Sequence, residues 1–168
     1  MFWSILWIVT ITIVVLFSFV VAFGAPFLPT LGSHVESAID LLELKPGQVM
    51  LELGSGDGRL LKAAAKRGIK AIGYELNPLL VVYSQLRCYR YRSLVKIHWR
   101  NYWRIKLPPA DGVYVFLLNP YMTKLDRKLQ AEIEKPLKLV SFAFALPDRQ
   151  PVVEKAGLML YEFKPQRR

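Results

Sequence analysis

The residues Leu51 to Gly58, "LELGSGDG", have types and a spacing suited to holding a ligand. An apolar run precedes them and a helical pattern, "LLKAAAKRG", follows. Gly54, Gly56 and Gly58 let a backbone turn sharply and come close to a bound molecule. The helix start behind them offers N–H groups to an anionic group such as a carboxylate. Glu75 closes the next apolar run, 21 residues after Gly54. A carboxylate at that point can accept both hydroxyls of a ribose. The dinucleotide fingerprint needs a small residue at position 59, where this chain has Arg59. A purely structural turn is the plainer alternative. The coincidence of the triplet with Glu52, Glu75 and a strand–helix context argues against it.

A second cluster lies further along, in "VFLLNPYM", Val115 to Met122. Asn119, Pro120 and Tyr121 suit two acceptors. For an adenine, Asn119 and the Pro120 carbonyl take the exocyclic amine and Tyr121 stacks on the ring. For a lysine, which must first lose its proton, a water-poor pocket lowers the amine pKa and the same side chains orient it. The competing reading is a turn in which Pro120 starts the next helix.

The elements that must position these residues alternate. "VESAIDLLELK" is a helix, with Ser33 as its cap and Glu36 completing a capping box. Strands follow at "QVMLEL", "KAIGYEL", "VKIHW", "DGVYVFLL", "LVSFAFAL" and "LMLYEF". Helices are expected over 60–68, over 77–92 with Asn77 as cap and Pro78 at its first position, and over 122–135. The alternation predicts an α/β fold with a doubly wound, mostly parallel sheet. Ligands then sit at the carboxyl ends of the strands, which gathers the loops after "LEL", "YEL", "HW" and "FLL" into one cleft.

Residues 1–23 carry no Asp, Glu, Lys or Arg. A helix needs about 20 apolar residues to cross the bilayer, so the run predicts a single transmembrane anchor. A signal peptide would carry early positive charge before a shorter apolar core. A core helix would show polar residues every turn. Residues 24–33, with two prolines and two glycines, read as a linker, and 34–168 as the domain. All 23 Lys and Arg follow the anchor, which places the domain on the cytoplasmic or matrix side. The single Cys88 fits a reducing compartment. His34 and His98 stand alone, so no metal is expected.

The net charge is +10. "RCYRYRSLVKIHWRNYWRIK", Arg87 to Lys106, interleaves cations with Tyr and Trp. Such a stretch can meet nucleic acid, anionic lipid heads beneath an anchor, or only water. The anchor favours lipid heads over nucleic acid as partner.

The glycine spacing with Glu52 ahead of it resembles the S-adenosylmethionine site of class I methyltransferases. "PFLPT", "LELGSGDGRLLKAAA", "GYELNPLLVVYSQLR", "NYWR", "VFLLNPYMTKLDRKL", "FALP" and "LYEF" resemble, in the same order, the membrane-anchored protein-lysine methyltransferases of the ATP synthase c-subunit and adenine nucleotide translocase type and their prokaryotic relatives. The resemblance implies a Rossmann-like domain in which Glu52, Gly54, Ser55, Gly56, Asp57, Gly58, Glu75, Leu76, Asn77, Asn101 and Tyr102 hold the cofactor. It implies that Asn119 and Tyr121 serve catalysis, and that Thr30, Asn119, Pro120 and Tyr121 meet the acceptor, a lysine of a membrane protein. The chain has Glu52 where the family usually has Asp. A nucleic-acid adenine N6-methyltransferase is the first alternative, though little sequence outside the core fold is left to flip and read a base. A non-catalytic nucleotide-binding scaffold is the second.

Overall fold

A computed structural model describes residues 2–23 and 32–165. Helix α1 spans Phe2–Phe23, and the hydroxyls of Thr10 and Thr12 donate to carbonyls one turn back. Both hydroxyls are thereby satisfied within the helix. The side chains described in α1 are those of residues 2–15 and Ser18, all exposed. Among the described residues no helix is long and apolar enough to cross a membrane, so the span expected over 1–23 is not supported by them.

Helix α2 (Gly32–Leu42) begins inside the expected linker, one residue before Ser33. The sheet follows the expected alternation. Strands β1 (Val49–Leu53), β2 (Lys70–Glu75), β3 (Val95–Trp99), β4 (Gly112–Val115) and β5 (Leu137–Phe142) are parallel where they pair. Strand β7 (Leu158–Phe163) lies antiparallel to β5, and β6 (Val153–Lys155), a strand not foreseen, is antiparallel to β7. The order is β3-β2-β1-β4-β5-β7-β6. The order reverses between β1 and β4, and it is beyond the carboxyl ends of the strands at such a reversal that these sheets bind ligands.

Three helices cross over: α3 (Arg59–Lys66), α4 (Pro78–Arg87) and α5 (Asn119–Glu132). Helix α4 stops at Arg87, short of the expected 92. A 3-10 turn at Tyr89–Tyr91 then leads into β3. Helix α5 starts three residues earlier than expected, because Pro120 has the backbone angle of a first helical turn and lacks the N–H that such a turn leaves free. Buried apolar side chains form two layers. Ile39, Leu42, Leu61 and Ala64 pack one face of the sheet and Leu125, Leu129 and Tyr161 the other. Below the sheet, the Asp111 carboxylate accepts from the Val49 N–H and pairs with Lys135, which fixes the register of β1 against β4.

Candidate active site

Strand β1 delivers Glu52 to the carboxyl end of the sheet, and the chain then leaves in a turn held by two hydrogen bonds. The N–H groups of Gly54 and Ser55 both donate to the Tyr74 carbonyl at 2.9 Å. The glycines around this turn do different things. Gly54 has φ +92, and an added Cβ would meet nothing within 4 Å, so its side of the loop is open. Gly58 has φ +73, and a Cβ there would lie 2.8 Å from Ser84 Cβ. Gly73 in β2, outside the triplet, is also needed. A Cβ on it would lie 2.7 Å from Ser55 Oγ and 2.6 Å from Leu61 Cδ1. A glycine inside a strand marks such a close approach, and that is the signal the sequence offers for it.

Glu52 is buried, and its Oε2 has no hydrogen-bond partner. Burial, followed by the nearby carboxylates of Asp57 and Glu75, pushes its carboxyl well above the usual range, against the pull of a backbone hydrogen bond from Leu61. The hydroxyl of Ser55 is likewise buried and unpartnered. A buried acid with an oxygen that accepts no hydrogen bond is costly, and a charged or donating ligand group would relieve that cost.

Glu75 has a different environment. Its Oε2 accepts from the Gly56 N–H, and its Oε1 accepts from the N–H groups of Leu76 and Asn77, all at 2.8 Å. The carboxylate therefore ties the glycine loop to the end of β2, using three of its roughly four acceptor sites. Asn77 caps α4 through its Oδ1, as expected. The Leu76 carbonyl accepts from the indole N–H of Trp99 at 2.9 Å. Asp57 is turned to the protein itself, to Arg59 at 2.7 Å and Arg87 at 2.9 Å. Burial pushes its carboxyl up, but the hydrogen bonds from Arg59 and the charge of Arg87 outweigh this and hold it below the usual range.

Beyond β3, Asn101 accepts from the Trp103 N–H at 2.9 Å and starts a short turn, Tyr102–Arg104. This buries Tyr102, and burial, followed by the charges of Glu75 and Tyr121, raises its phenol pKa. The rings of Tyr102 and Trp103 lie 4.7 Å apart, and those of Trp103 and Tyr121 6.3 Å apart. The ammonium of Lys124 sits 4.6 Å from the Trp103 ring centre. Asn119, Pro120 and Tyr121 are exposed in the first turn of α5. The structure thus gathers Glu52, Ser55, Glu75, Asn101, Tyr102 and Tyr121 at one end of the sheet and adds Trp103 as part of an aromatic wall. Thr30 lies outside the described residues. Among those described, no group of three or more His, Cys, Asp or Glu is placed to hold a metal.

Residues 52–153, more than half of the chain, match the ANTKMT methyltransferase domain. The chain belongs to this family. It is 34% identical over 128 residues to the ATP synthase c-subunit lysine N-methyltransferase of Homo sapiens, covering 75% of this chain and 54% of that one. It is 38% identical over 130 residues to the adenine nucleotide translocase lysine N-methyltransferase of Mus musculus, covering 76% of this chain and 56% of that one. The chain thus spans about half the length of the curated relatives it matches. Among solved structures, an RNA methyltransferase from Salinibacter ruber in complex with S-adenosyl-L-homocysteine superposes with a TM-score of 0.75 at 25% identity. That likeness covers 83% of this chain and 95% of the other. Family membership and the parallel sheet with its glycine loop agree on a Rossmann-like methyltransferase domain.

Proposed function

We propose that this chain is a membrane-anchored methyltransferase that uses S-adenosylmethionine and modifies a protein lysine. The observation that carries the cofactor is the pairing of Glu52, buried with a free oxygen, with the open turn at Gly54. These residues fit a ligand with an ammonium group and a ribose. Glu52 and Ser55 would hold the amino-acid end, Glu75 the ribose hydroxyls through its remaining acceptor capacity, and Asn101 and Tyr102 the adenine. When bound, the cofactor supplies a methyl group on a positively charged sulfur, ready for in-line displacement.

The chain's own part is positioning. An approaching cationic group lets the buried carboxyl of Glu52 release its proton, converting a cost of burial into binding energy. On the acceptor side, Tyr102, Trp103 and Tyr121 form an apolar wall that favours the neutral amine over the ammonium. Tyr121 and Asn119 would orient that amine, while the Pro120 carbonyl is engaged within helix α5. Support for a lysine acceptor comes from the relatives of 34% and 38% identity, which are lysine N-methyltransferases by name.

The absence of Asp, Glu, Lys and Arg from residues 1–23 is what motivates the single-pass anchor. The basic domain supports placement on the cytoplasmic or matrix side. A tether raises the local concentration of membrane-embedded acceptors. The likeness to an RNA methyltransferase favours a second reading, an adenine acceptor at Asn119–Tyr121. The full chain, incubated with methyl-labelled cofactor together with membranes, RNA or DNA, separates the two readings. Label on lysine is the expected result. Label on RNA or DNA replaces the acceptor reading, and a folded sample with neither cofactor binding nor label leaves a non-catalytic scaffold.

A further inference from the structure

Helix α4 carries Leu79, Val82, Tyr83 and Leu86 on its outer face, at i, i+3, i+4 and i+7, and Leu86 is 69% exposed. A surface helix ordinarily places polar residues there. Tyr89, in the following 3-10 turn, and Trp99, hydrogen-bonded to Leu76 at the start of α4, extend the stripe. Outside α1, six of the nine large exposed apolar side chains among the described residues belong to this one surface.

The same surface is strongly positive. Between Glu75 and Asp111 the sequence has no acidic residue and seven Lys and Arg. Arg90, Arg92, Lys96 and Arg100 are exposed, and among the described residues none has a carboxylate partner. Arg87 lies over the Tyr83 ring at 5.1 Å and Arg92 over the Tyr89 ring at 4.8 Å. Arg87 also lines an open cleft with Arg59, Lys62, Lys66 and Gly32, where the single acid, Glu36, is paired with Arg67. Since α2 begins at Gly32, the chain coming from the apolar N-terminal segment enters the domain beside this basic cleft.

We propose that this face of the domain docks on an anionic bilayer surface. Leu79, Val82, Leu86 and Trp99 enter the headgroup region while Lys62, Lys66, Arg90 and Arg92 meet lipid phosphates. An aliphatic stripe flanked by cations with Trp and Tyr is the composition of a helix that lies in a membrane interface. Nucleic acid offers no counterpart for Leu79, Val82 and Leu86, and the tyrosine faces it would stack on are covered by Arg87 and Arg92. The stripe starts at Leu79, one turn past Glu75, which accepts from the N–H of the α4 cap Asn77, so docking brings the cofactor end of the sheet close to the headgroups, where a lysine at a membrane protein's edge would sit. The inference rests on the membrane reading of residues 1–23 and is independent of methyl transfer.

The test uses the full chain with phosphatidylcholine vesicles, with and without phosphatidylglycerol. An environment-sensitive fluorophore is placed at Leu86→Cys and, as a control on the opposite face of the sheet, at Arg127→Cys. Cys88 is buried and escapes labelling. Brominated lipid should quench the Leu86 label several-fold more than the Arg127 label, and more so with phosphatidylglycerol. Equal or absent quenching overturns the inference. Amine footprinting of the unmodified chain gives a second readout free of any folding defect. Lys62, Lys66 and Lys96 should react several-fold more slowly with phosphatidylglycerol present, with Lys124 and Lys164 unchanged. Protection of those lysines by an RNA oligonucleotide but not by vesicles overturns it in favour of nucleic acid. A chain that floats with vesicles and binds cofactor, yet shows no α4 quenching, defeats this inference alone. Loss of flotation defeats the membrane reading beneath it.

Discussion

Replacing Glu52 with Gln should move stability and cofactor affinity in opposite directions. In the free protein Glu52 is a buried acid with one unpartnered oxygen, and burial and two neighbouring carboxylates raise its pKa. A buried unsatisfied acceptor costs about 1–3 kcal/mol. Gln keeps the shape and the oxygen that accepts from Leu61, and it removes the ionisation. The cofactor-free variant should gain on the order of 1 kcal/mol near neutral pH, a rise in Tm of about 3–5 °C for a domain of this size. The pH dependence follows from linkage. Because the folded pKa lies above the unfolded one, the contribution of Glu52 is fully present below about 4.5 and is lost as pH rises through the folded value. The advantage of the variant should therefore shrink towards pH 4.5 and widen towards pH 8. With the cofactor the order reverses. Losing a charge-assisted hydrogen bond costs about 1.5–3 kcal/mol, or roughly ten- to a hundredfold in Kd. Thermal unfolding of the full chain in detergent at several pH values and titration calorimetry with S-adenosylmethionine read the two effects. Unchanged affinity would refute the assignment of Glu52 to the cofactor, and a pH-independent loss of stability would refute the account of its burial.

Three further outcomes are expected. Gly58→Ala should destabilise the domain by about 2–4 kcal/mol in urea unfolding, from a left-handed φ of +73 and a contact at 2.8 Å with Ser84 Cβ, and Ser84→Gly in the same chain should restore part of the loss. A cost below about 0.5 kcal/mol would contradict the packing described. Glu75→Ala frees the N–H groups of Gly56, Leu76 and Asn77 and removes the ribose acceptor, so cofactor affinity should fall at least about a hundredfold. Unchanged binding removes that role. Trp103→Ala should lower kcat/KM for a lysine acceptor by about 5–30-fold, the worth of about 1–2 kcal/mol of apolar contact with the acceptor's side chain, while Kd for the cofactor holds. An equal loss in both would place Trp103 in the fold and not in acceptor binding.

The features legible in the sequence share one property: their cause is local. The glycine triplet, the Asn77–Pro78 helix start and the alternation of apolar strands with amphipathic helices are each decided by neighbours within a few residues, and the structure keeps them all. The features that escape a reading of the sequence have causes that lie elsewhere in the chain. Asp57 sits in the glycine loop, yet its carboxylate is taken by Arg87, thirty residues on, a pairing that only the packing of α4 against α3 creates. Strand β6 is three exposed residues with no apolar period, and it exists because β7 offers it an edge. Trp103 and Tyr121 come from the ends of β3 and β4, which are not neighbours in the sheet, so their approach depends on the chain order reversing beside β1. The same contrast divides the site. Its cofactor half hangs on one strand–loop–helix unit closed by Glu75, so it can be read from spacing. Its acceptor half is assembled from loops whose meeting is a property of the whole sheet. There the spacing of Asn119, Pro120 and Tyr121 serves adenine and lysine equally, and the sequence does not foresee the Trp103 ring that the fold sets beside Tyr121.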